Sequence, residues 1–157
     1  MLVVADTSAL IALAACRSLP LLQSLFNEVR VPQAVFVEST VPGKPQSDEL
    51  RAWLRGRVVA VELADLVLAA AGLGQGELEA MALYKKLHAD RLLLDDARAR
   101  RVARLNGIQT TGSLGVLLLA KEQGLVAAVR PLVETIQAAG IRFSNELVRE
   151  VLRLASE

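Results

Sequence analysis

Short apolar runs alternate with amphipathic segments along this chain, and acidic residues follow two of the runs. Residues 2–5 (LVVA) fit a strand buried on both faces, and Thr7 and Ser8 then offer helix N-cap chemistry before ALIALAAC. Asp6 lies at this strand-to-helix joint. Because burying a carboxylate is costly unless it is paired, hydrogen-bonded or metal-bound, Asp6 is the first candidate for a functional role.

The strand-to-helix pattern recurs in the next part of the chain. Residues 29–31 predict a second strand, with Pro32 in the first turn of a following helix that carries Glu38. Residues 48–55 predict a further helix, and residues 58–63 (VVAVEL) form a third strand of ambiguous character.

The second half of the chain repeats the alternation. ELEAMALYKKLHA, after the turn GLGQG, predicts a helix, and RLLLDD predicts a strand that ends in acid. The helix ARARRVARLNG, the short strand IQTTG and the helix SLGVLLLAKEQG follow, and two amphipathic helices, VRPLVETIQAAG and NELVREVLRLASE, complete the chain. Strands alternating with helices predict an α/β fold, a three-layer α/β/α sandwich with a central parallel sheet. We expect one domain over residues 1–157.

Composition excludes several classes of protein. The chain is 53% hydrophobic and 22% charged with a net charge of +1, so a polyanion would have to be bound by a local basic patch. Cys16 is the single cysteine, which excludes an internal disulfide, and it continues an apolar helix, so we expect it in the core. His88, between charged residues at a helix end, is expected to be exposed.

The positive mean hydropathy of +0.39 raises the question of a membrane segment. A spanning helix needs an uncharged run of about 18 residues or more. Charged residues break every apolar stretch before that length, among them Asp6, Glu62, Asp65, Lys121 and Glu122. The N-terminus also lacks the basic start and cleavage site of a signal peptide. We therefore expect a cytoplasmic protein with no membrane association.

The acidic residues are expected to meet at one edge of the sheet. Ligands of an open parallel sheet bind beyond the C-terminal ends of its strands. Asp6, Asp95 and Asp96 follow strands there, and Glu38 and Glu77 lie on helices that begin near the same edge. Gathered carboxylates suit Mg²⁺ or Mn²⁺, whereas one cysteine and one histidine make a zinc site improbable. Such an ion activates water at a phosphodiester, which predicts metal-dependent nucleic-acid hydrolysis.

Each acid also has a purely structural explanation. Asp6 and Asp96 could cap the helices that follow them, Glu38 could be solvated surface, and Glu77 could favour the dipole of its helix. The basic residues near these acids in the chain have two interpretations in the same way, as a solvated helix face or as groups that position phosphates. They are Arg98, Arg100, Arg101 and Arg104, with Lys85, Lys86 and Arg91 nearby.

The combined segments resemble a known family. VVADTSALIALA, VPQAVFVEST and GLGQGELEAMALYKKLHADRLLLDDARARRVARLNGIQTTGSLGVLLLAKEQG together look like a PIN domain, the fold of VapC-type toxin ribonucleases. More narrowly, the chain resembles the prokaryotic group DUF3368, predicted nucleic-acid-binding proteins that contain a PIN domain. The resemblance covers nearly the whole chain, and the helices from about residue 126 would be a family-specific extension.

The resemblance implies an α/β/α domain whose acids bind Mg²⁺ or Mn²⁺ and support cleavage of single-stranded RNA. The matching acidic positions are Asp6, Glu38, Glu77 and Asp96, with Asp95 beside the last of them, and the matching polar positions are Thr7, Ser8 and Ser113. Two departures stand out. The family more often has aspartate where this chain has Glu77, and ARARR after Asp96 lacks the acidic and aromatic residues common in toxin members.

Two functional hypotheses follow from different classes. The first is a metal-dependent endoribonuclease, the toxin of a type II toxin–antitoxin pair, with Asp6 and Asp96 as direct metal ligands and Glu38 and Glu77 completing the site. The family further implies an antitoxin protein as partner and a homodimer. The second is a non-catalytic α/β module that binds RNA or a protein, with the acids as helix caps and surface charge.

Overall fold

The computed structural model describes residues 1–63 and 72–157 of the chain. Asp65, one of the acids that interrupt an apolar stretch of the sequence, lies outside the described residues. In the described part, no helix by itself has the length and apolarity needed to cross a membrane. The helices Thr7–Ala15 and Leu19–Leu25 are long and apolar enough only when they are counted together, and this pair is bent by 112°.

The strands in the described part of the chain form one sheet at the centre of the fold. They are β1 (Leu2–Ala5), β2 (Glu28–Pro32), β3 (Val58–Val59), β4 (Arg91–Leu93) and β5 (Thr110–Thr111). Their spatial order is β3-β2-β1-β4-β5, and all four pairings are parallel. Parallel neighbours need crossover connections, which are helical here. The prediction of an α/β/α sandwich with a central parallel sheet is confirmed.

The helices that cover the sheet follow the predicted sequence pattern, with one addition. In chain order they are α1 (Thr7–Ala15), α2 (Leu19–Leu25), α3 (Gln33–Ser39), α4 (Ser47–Leu54), α5 (Gln75–Leu87), α6 (Ala97–Leu105), α7 (Ser113–Glu122), α8 (Arg130–Ala138) and α9 (Asn145–Leu154). The pattern did not separate α2 from α1, because LPLLQSL continues the apolar run after only three intervening residues. Pro20 at the start of α2 has the fixed φ that a first helical turn accepts.

Glu38 lies near the C-terminal end of α3, and this helix begins directly after β2, at the predicted edge of the sheet. Two local predictions need correction. Pro32 is not in the first helical turn but is the last residue of β2 and the N-cap of α3. The third strand is only Val58–Val59, because the apolar character of VVAVEL extends beyond the residues that pair with β2.

The core forms around β1, the middle strand. Val3, Val4 and Ala5 are completely buried, as expected for a strand covered on both faces. On one side of the sheet, α5 packs against β1, β2 and β4, while α1 packs against α3, α4, α7 and α8. Cys16 is buried in this core and His88 is exposed at the end of α5, which confirms both predictions.

The C-terminal helices are joined to this core. Val133 of α8 and Val151 of α9 belong to the same buried apolar cluster as β1. The carboxylate of Glu157 accepts hydrogen bonds from the backbone N–H groups of Val129 and Arg130 (2.7 and 3.2 Å) and from Lys121 (3.1 Å). These bonds hold the last residue against the N-terminal end of α8 and the end of α7.

Candidate active site

The sheet has one position where its strand order reverses, between β1 and β4. The chain builds β1, β2 and β3 outward in one direction and then returns to place β4 on the other side of β1. In open parallel sheets, a crevice that accepts ligands forms at such a point, beyond the C-terminal strand ends. Asp6 directly follows β1, and Asp95 and Asp96 follow β4, so the topology brings these acids to the crevice.

Asp6 is held in place by both its backbone and its side chain. Its backbone N–H donates to the carbonyl of Leu93 in β4 (2.9 Å), which continues the ladder between the two strands. One carboxylate oxygen, Oδ2, accepts hydrogen bonds from the backbone N–H and the hydroxyl of Ser8 (3.2 and 2.9 Å), so Asp6 is the N-cap of α1. The other oxygen, Oδ1, is buried and has no hydrogen-bond partner among the described residues.

The surroundings of Asp6 disfavour its negative charge. The side chain is only 3% exposed. Burial raises the pKa of the Asp6 carboxyl from 3.8 to about 6, although the hydrogen bonds from Ser8 oppose the shift. The negative charge of Glu77 raises this pKa further. Helix capping explains one oxygen of Asp6, but it does not explain why the second oxygen is buried with no partner in residues 1–63 and 72–157.

Asp95 is connected to Asp6 through Ser8. The backbone N–H of Asp95 donates to the hydroxyl of Ser8 (3.1 Å), which itself donates to Asp6. The Asp95 carboxylate accepts hydrogen bonds from the backbone N–H and the hydroxyl of Ser113 (2.6 Å each), the completely buried first residue of α7. We call Asp6, Ser8, Asp95 and Ser113 the aspartate–serine network. It ties the ends of β1 and β4 to the start of α7.

The environment of Asp95 resembles that of Asp6. Burial raises the pKa of the Asp95 carboxyl, while the bonds from Ser113 and the charge of Arg100 lower it. The backbone of Gly112, just before Ser113, lies close to Asp95 and Arg100. A Cβ at this position would be 2.8 Å from Oδ1 of Asp95 and 2.9 Å from Nη1 of Arg100. A side chain at position 112 would therefore displace the carboxylate or the guanidinium.

Glu38 and Glu77 lie together on the other side of Asp6. Oε2 of Glu38 accepts a hydrogen bond from the hydroxyl of Thr7 (2.9 Å), and Oε1 accepts one from the backbone N–H of Gly76 (3.0 Å). Glu77, in the first turn of α5, accepts a hydrogen bond from the backbone N–H of Gly74 (3.0 Å). A Cβ at Gly76 would overlap the Glu38 carboxylate. The glycine turn GLGQG thus makes room for a carboxylate.

Asp96 and the basic residues after it lie on the outer side of the crevice. Asp96 is exposed, and its Oδ1 accepts a hydrogen bond from the backbone N–H of Ala99 (2.8 Å), which makes it the N-cap of α6. Arg100 donates to the carbonyl of Leu94 (3.1 Å), and the guanidinium of Arg98 lies against Gly72. Arg101 is exposed. Phosphate binding by these three arginines stays a prediction.

A cavity of about 500 Å³ opens beside the acids. We call it the acid-side cavity. It is lined by Ser8, Asp95 and Asp96, and also by Ile141 and Phe143 from the connection between α8 and α9. The strand and helix pattern did not predict that this connection reaches the site. The signal available in the sequence was the pair of apolar residues in IRF, between two helices, where a solvated loop would have polar residues.

The acids do not form one closed ligand set. Within residues 1–63 and 72–157, no three carboxylate, imidazole or thiol side chains lie close enough together to hold a metal ion jointly. Asp6 and Asp95 share the aspartate–serine network, Glu38 and Glu77 meet at the start of α5, and Asp96 caps α6. Which of these acids bind metal or take part in catalysis stays a prediction.

Comparison with known protein families assigns this chain to one of them. The family model DUF3368, described as a PIN domain, matches residues 2–157. The chain belongs to this PIN-domain family. Neither the curated proteins nor the solved structures give a match. PIN domains are in general nucleases that act on nucleic acid and typically use divalent metal ions.

The residues at the crevice of this PIN domain fit a hard divalent cation in their chemistry. Mg²⁺ prefers oxygen ligands and is usually held by one or two carboxylates, with water and substrate phosphates at its other positions. Oδ1 of Asp6 is a buried carboxylate oxygen without a partner among the described residues, and the charge of Glu77 acts on it. A cation there would remove the cost of burying the ionised Asp6.

Proposed function

We propose that this protein is a Mg²⁺- or Mn²⁺-dependent endoribonuclease that cleaves single-stranded RNA at the crevice between β1 and β4. The single observation that carries the proposal is the buried Oδ1 of Asp6, which has no partner among the described residues and lies at the strand-order reversal of a PIN domain. Asp6 and Glu77 would hold the ion, with Asp95 and Asp96 as further candidate ligands. When bound, the ion lowers the pKa of water and neutralises charge on the phosphate.

The other residues of the site position these acids. Ser8 fixes the carboxylate of Asp6, and Ser113 fixes that of Asp95 at the C-terminal end of the neighbouring strand. Glu38 acts through the start of α5, because its bonds to Thr7 and Gly76 join α1 to the turn that carries Glu77. Loss of Glu38 is therefore expected to move Glu77 relative to Asp6.

The reaction consists of water attack on phosphorus and departure of a ribose oxygen. The residues of this chain contribute negative charge that collects the cation, a fixed Asp6 oxygen, and a partly apolar cavity wall formed by Ile11, Ile141 and Phe143. An apolar wall lowers the local dielectric constant, which strengthens charge interactions at the phosphate.

We further propose that this activity belongs to the toxin of a type II toxin–antitoxin pair, which acts as a homodimer and is inhibited by a protein antitoxin. What supports this role is the chain's resemblance to VapC-type toxins. Expression of the wild-type protein, but not of the Asp6→Asn variant, is expected to arrest growth, and co-expressed antitoxin is expected to restore it. Unimpaired growth with active nuclease present would contradict the toxin role alone.

Cleavage of single-stranded RNA tests the enzymatic proposal directly. The wild-type protein is expected to cleave with Mn²⁺ or Mg²⁺ and not with EDTA, and Asp6→Asn is expected to be inactive. Asp48→Asn is the matched control, because Asp48 is an exposed aspartate in the first turn of another helix, α4. Cleavage that persists in EDTA or in Asp6→Asn would overturn the metal site.

A second candidate function is a non-catalytic module that binds RNA or a protein. The observation in its favour is that Asp6 and Asp96 both cap helices. Calorimetric titration of the wild-type protein with Mn²⁺ separates the two. Heat of binding that is lost in Asp6→Asn supports the enzyme, and no binding at all supports the module.

A further inference from the structure

A second cavity continues from the acid-side cavity along α6. It has a volume of about 570 Å³ and lies between α6, α7 and α9. We call it the arginine groove. Asp95, Phe143 and Leu147 line both cavities, so the groove starts at the candidate active site and leads away from it.

One wall of the arginine groove is basic. Arg100, Arg101 and Arg104 line it from α6, and Arg104 lies one helical turn after both Arg100 and Arg101. Arg101 and Arg104 are exposed, and neither forms an ion pair with any residue in the described ranges. They are therefore available to bind an anionic ligand.

The described carboxylates that line the arginine groove form no ion pair with Arg101 or Arg104. Asp95 accepts two hydrogen bonds of 2.6 Å from Ser113, and its charge acts on Arg100. Glu150, on α9, accepts hydrogen bonds of 2.9 and 2.7 Å from Arg153. The groove therefore keeps a positive wall although the net charge of the chain is only +1.

Apolar side chains, some of them largely exposed, also line the groove. Leu147 and Leu154 are 46% and 51% exposed, although both are large hydrophobic residues. Phe143 is half-buried at the junction of the two cavities. An aromatic ring at the mouth of a basic groove is the arrangement on which proteins stack an unpaired base while cations hold the backbone.

We propose that the arginine groove binds a single-stranded nucleic acid next to the scissile phosphate, with Arg101 and Arg104 on phosphates and Phe143 against a base. The proposal rests on the proposed nuclease function and names the path of its substrate. A single strand fits because its bases are free to stack, whereas those of a duplex are already paired. Phe143 is then the positioning residue that sets which nucleotide lies at the acids.

Binding measured without cleavage tests the groove separately from catalysis. Fluorescence anisotropy in EDTA, with Asp6→Asn as the parent protein, would follow a labelled oligouridine and an abasic oligomer with the same backbone. Arg101→Ala and Arg104→Ala are expected to weaken both ligands and to reduce the slope of log K against log salt by about 0.7 for each phosphate that is no longer neutralised. Arg55→Ala, exposed at the end of α4 and outside both cavities, is the charge-matched control.

Phe143→Leu is expected to act only on the base. It should weaken oligouridine binding at least about fivefold and leave the abasic oligomer unchanged. Phe36→Leu, at another half-buried phenylalanine that lines neither cavity, should affect neither ligand. An equal loss of affinity for both ligands in Phe143→Leu would show that Phe143 has a merely structural role, and it would overturn the stacking contact.

Two further outcomes would overturn the proposal as a whole. One is unchanged affinity and salt slope in Arg101→Ala and Arg104→Ala. The other is a polyglutamate peptide that binds as tightly as oligouridine and responds equally to the Phe143 change, which would mark the groove as a protein-binding site. In either case metal-dependent cleavage by the wild-type protein would still stand or fall by its own assay.

Discussion

The buried carboxylate of Asp6 predicts a specific pH dependence of stability. Burial raises its pKa from 3.8 to about 6, so between these values the folded protein binds more protons than the unfolded chain. The contribution of Asp6 to the free energy of unfolding therefore falls as pH rises through this window, and the loss is nearly complete by about pH 7. At about 1.4 kcal/mol per pH unit, the shift corresponds to a cost of about 3 kcal/mol for the ionised form.

The Asp6→Asn variant removes this titration. Asn keeps one oxygen for the bonds from Ser8 but places an amide where Oδ1 is buried, which adds a cost that does not depend on pH. We therefore compare the free energies of unfolding of the variant and the wild type at each pH, and follow how their difference changes with pH. We expect the variant to gain about 2 to 3 kcal/mol relative to the wild type between about pH 4 and pH 7.

Urea unfolding followed by far-ultraviolet circular dichroism, in EDTA, measures this difference. The m-values of the two proteins must agree, so that midpoints report stability. Asp95 titrates in both proteins and its contribution largely cancels in the difference. The control Asp48→Asn removes an exposed aspartate and shows what loss of a carboxylate outside the site does to the same curves. Parallel pH curves for Asp6→Asn and wild type would refute the argument that Asp6 is buried as a charge-disfavoured carboxyl.

Three further predictions concern the site. Ser113→Ala removes the hydroxyl that donates to the Asp95 carboxylate and should cost about 1.5 to 3 kcal/mol of unfolding free energy in urea denaturation. Gly76→Ala places a Cβ in the space of the Glu38 carboxylate, so it should change stability by no more than about 1 kcal/mol but lower RNA cleavage about tenfold or more. Mg²⁺ at about 100 times its dissociation constant should stabilise the wild type by about 2.7 kcal/mol at neutral pH and have no such effect on Asp6→Asn.

Matched comparisons separate these effects from general damage. Ser39 is also a buried serine, but its hydroxyl donates to the Val35 carbonyl within α3, so Ser39→Ala should cost about 1 kcal/mol or less. For Gly76→Ala, loss of stability without loss of cleavage would contradict the role given to Glu38. For Mg²⁺, equal stabilisation of wild type and Asp6→Asn would place the ion elsewhere.

The order of elements was predictable because it depends on local patterns. Apolar runs such as LVVA and RLLL are strands since both their faces are buried, and the amphipathic segments between them are helices. The short helix α2 and the true extent of β3 were not predictable in this way. Both depend on which neighbours an apolar segment meets, and VVAVEL is apolar well beyond the two residues that pair with β2.

The candidate site was predictable in its residue types and not in its connections. Asp6 stood out because an acid in an apolar run is costly, and its link to Ser8 is local enough to foresee. The pairing of Asp95, rather than Asp96, with Ser113 joins residues that are 18 positions apart and depends on how α7 leaves β5. The same holds for Glu38, whose partners Thr7 and Gly76 lie 31 and 38 positions away.

The sequence by itself therefore determined the α/β alternation, the parallel sheet and the acidic character of its C-terminal edge. These follow from periodicity, strand burial and the cost of an ionisable group in an apolar run. Only the tertiary structure decided which oxygen of Asp6 has no partner in the described part of the chain, that Asp95 joins the aspartate–serine network while Asp96 caps a helix, and that Phe143 lines the cavity. Those outcomes depend on distances between elements remote in sequence, which are set by packing of the whole core.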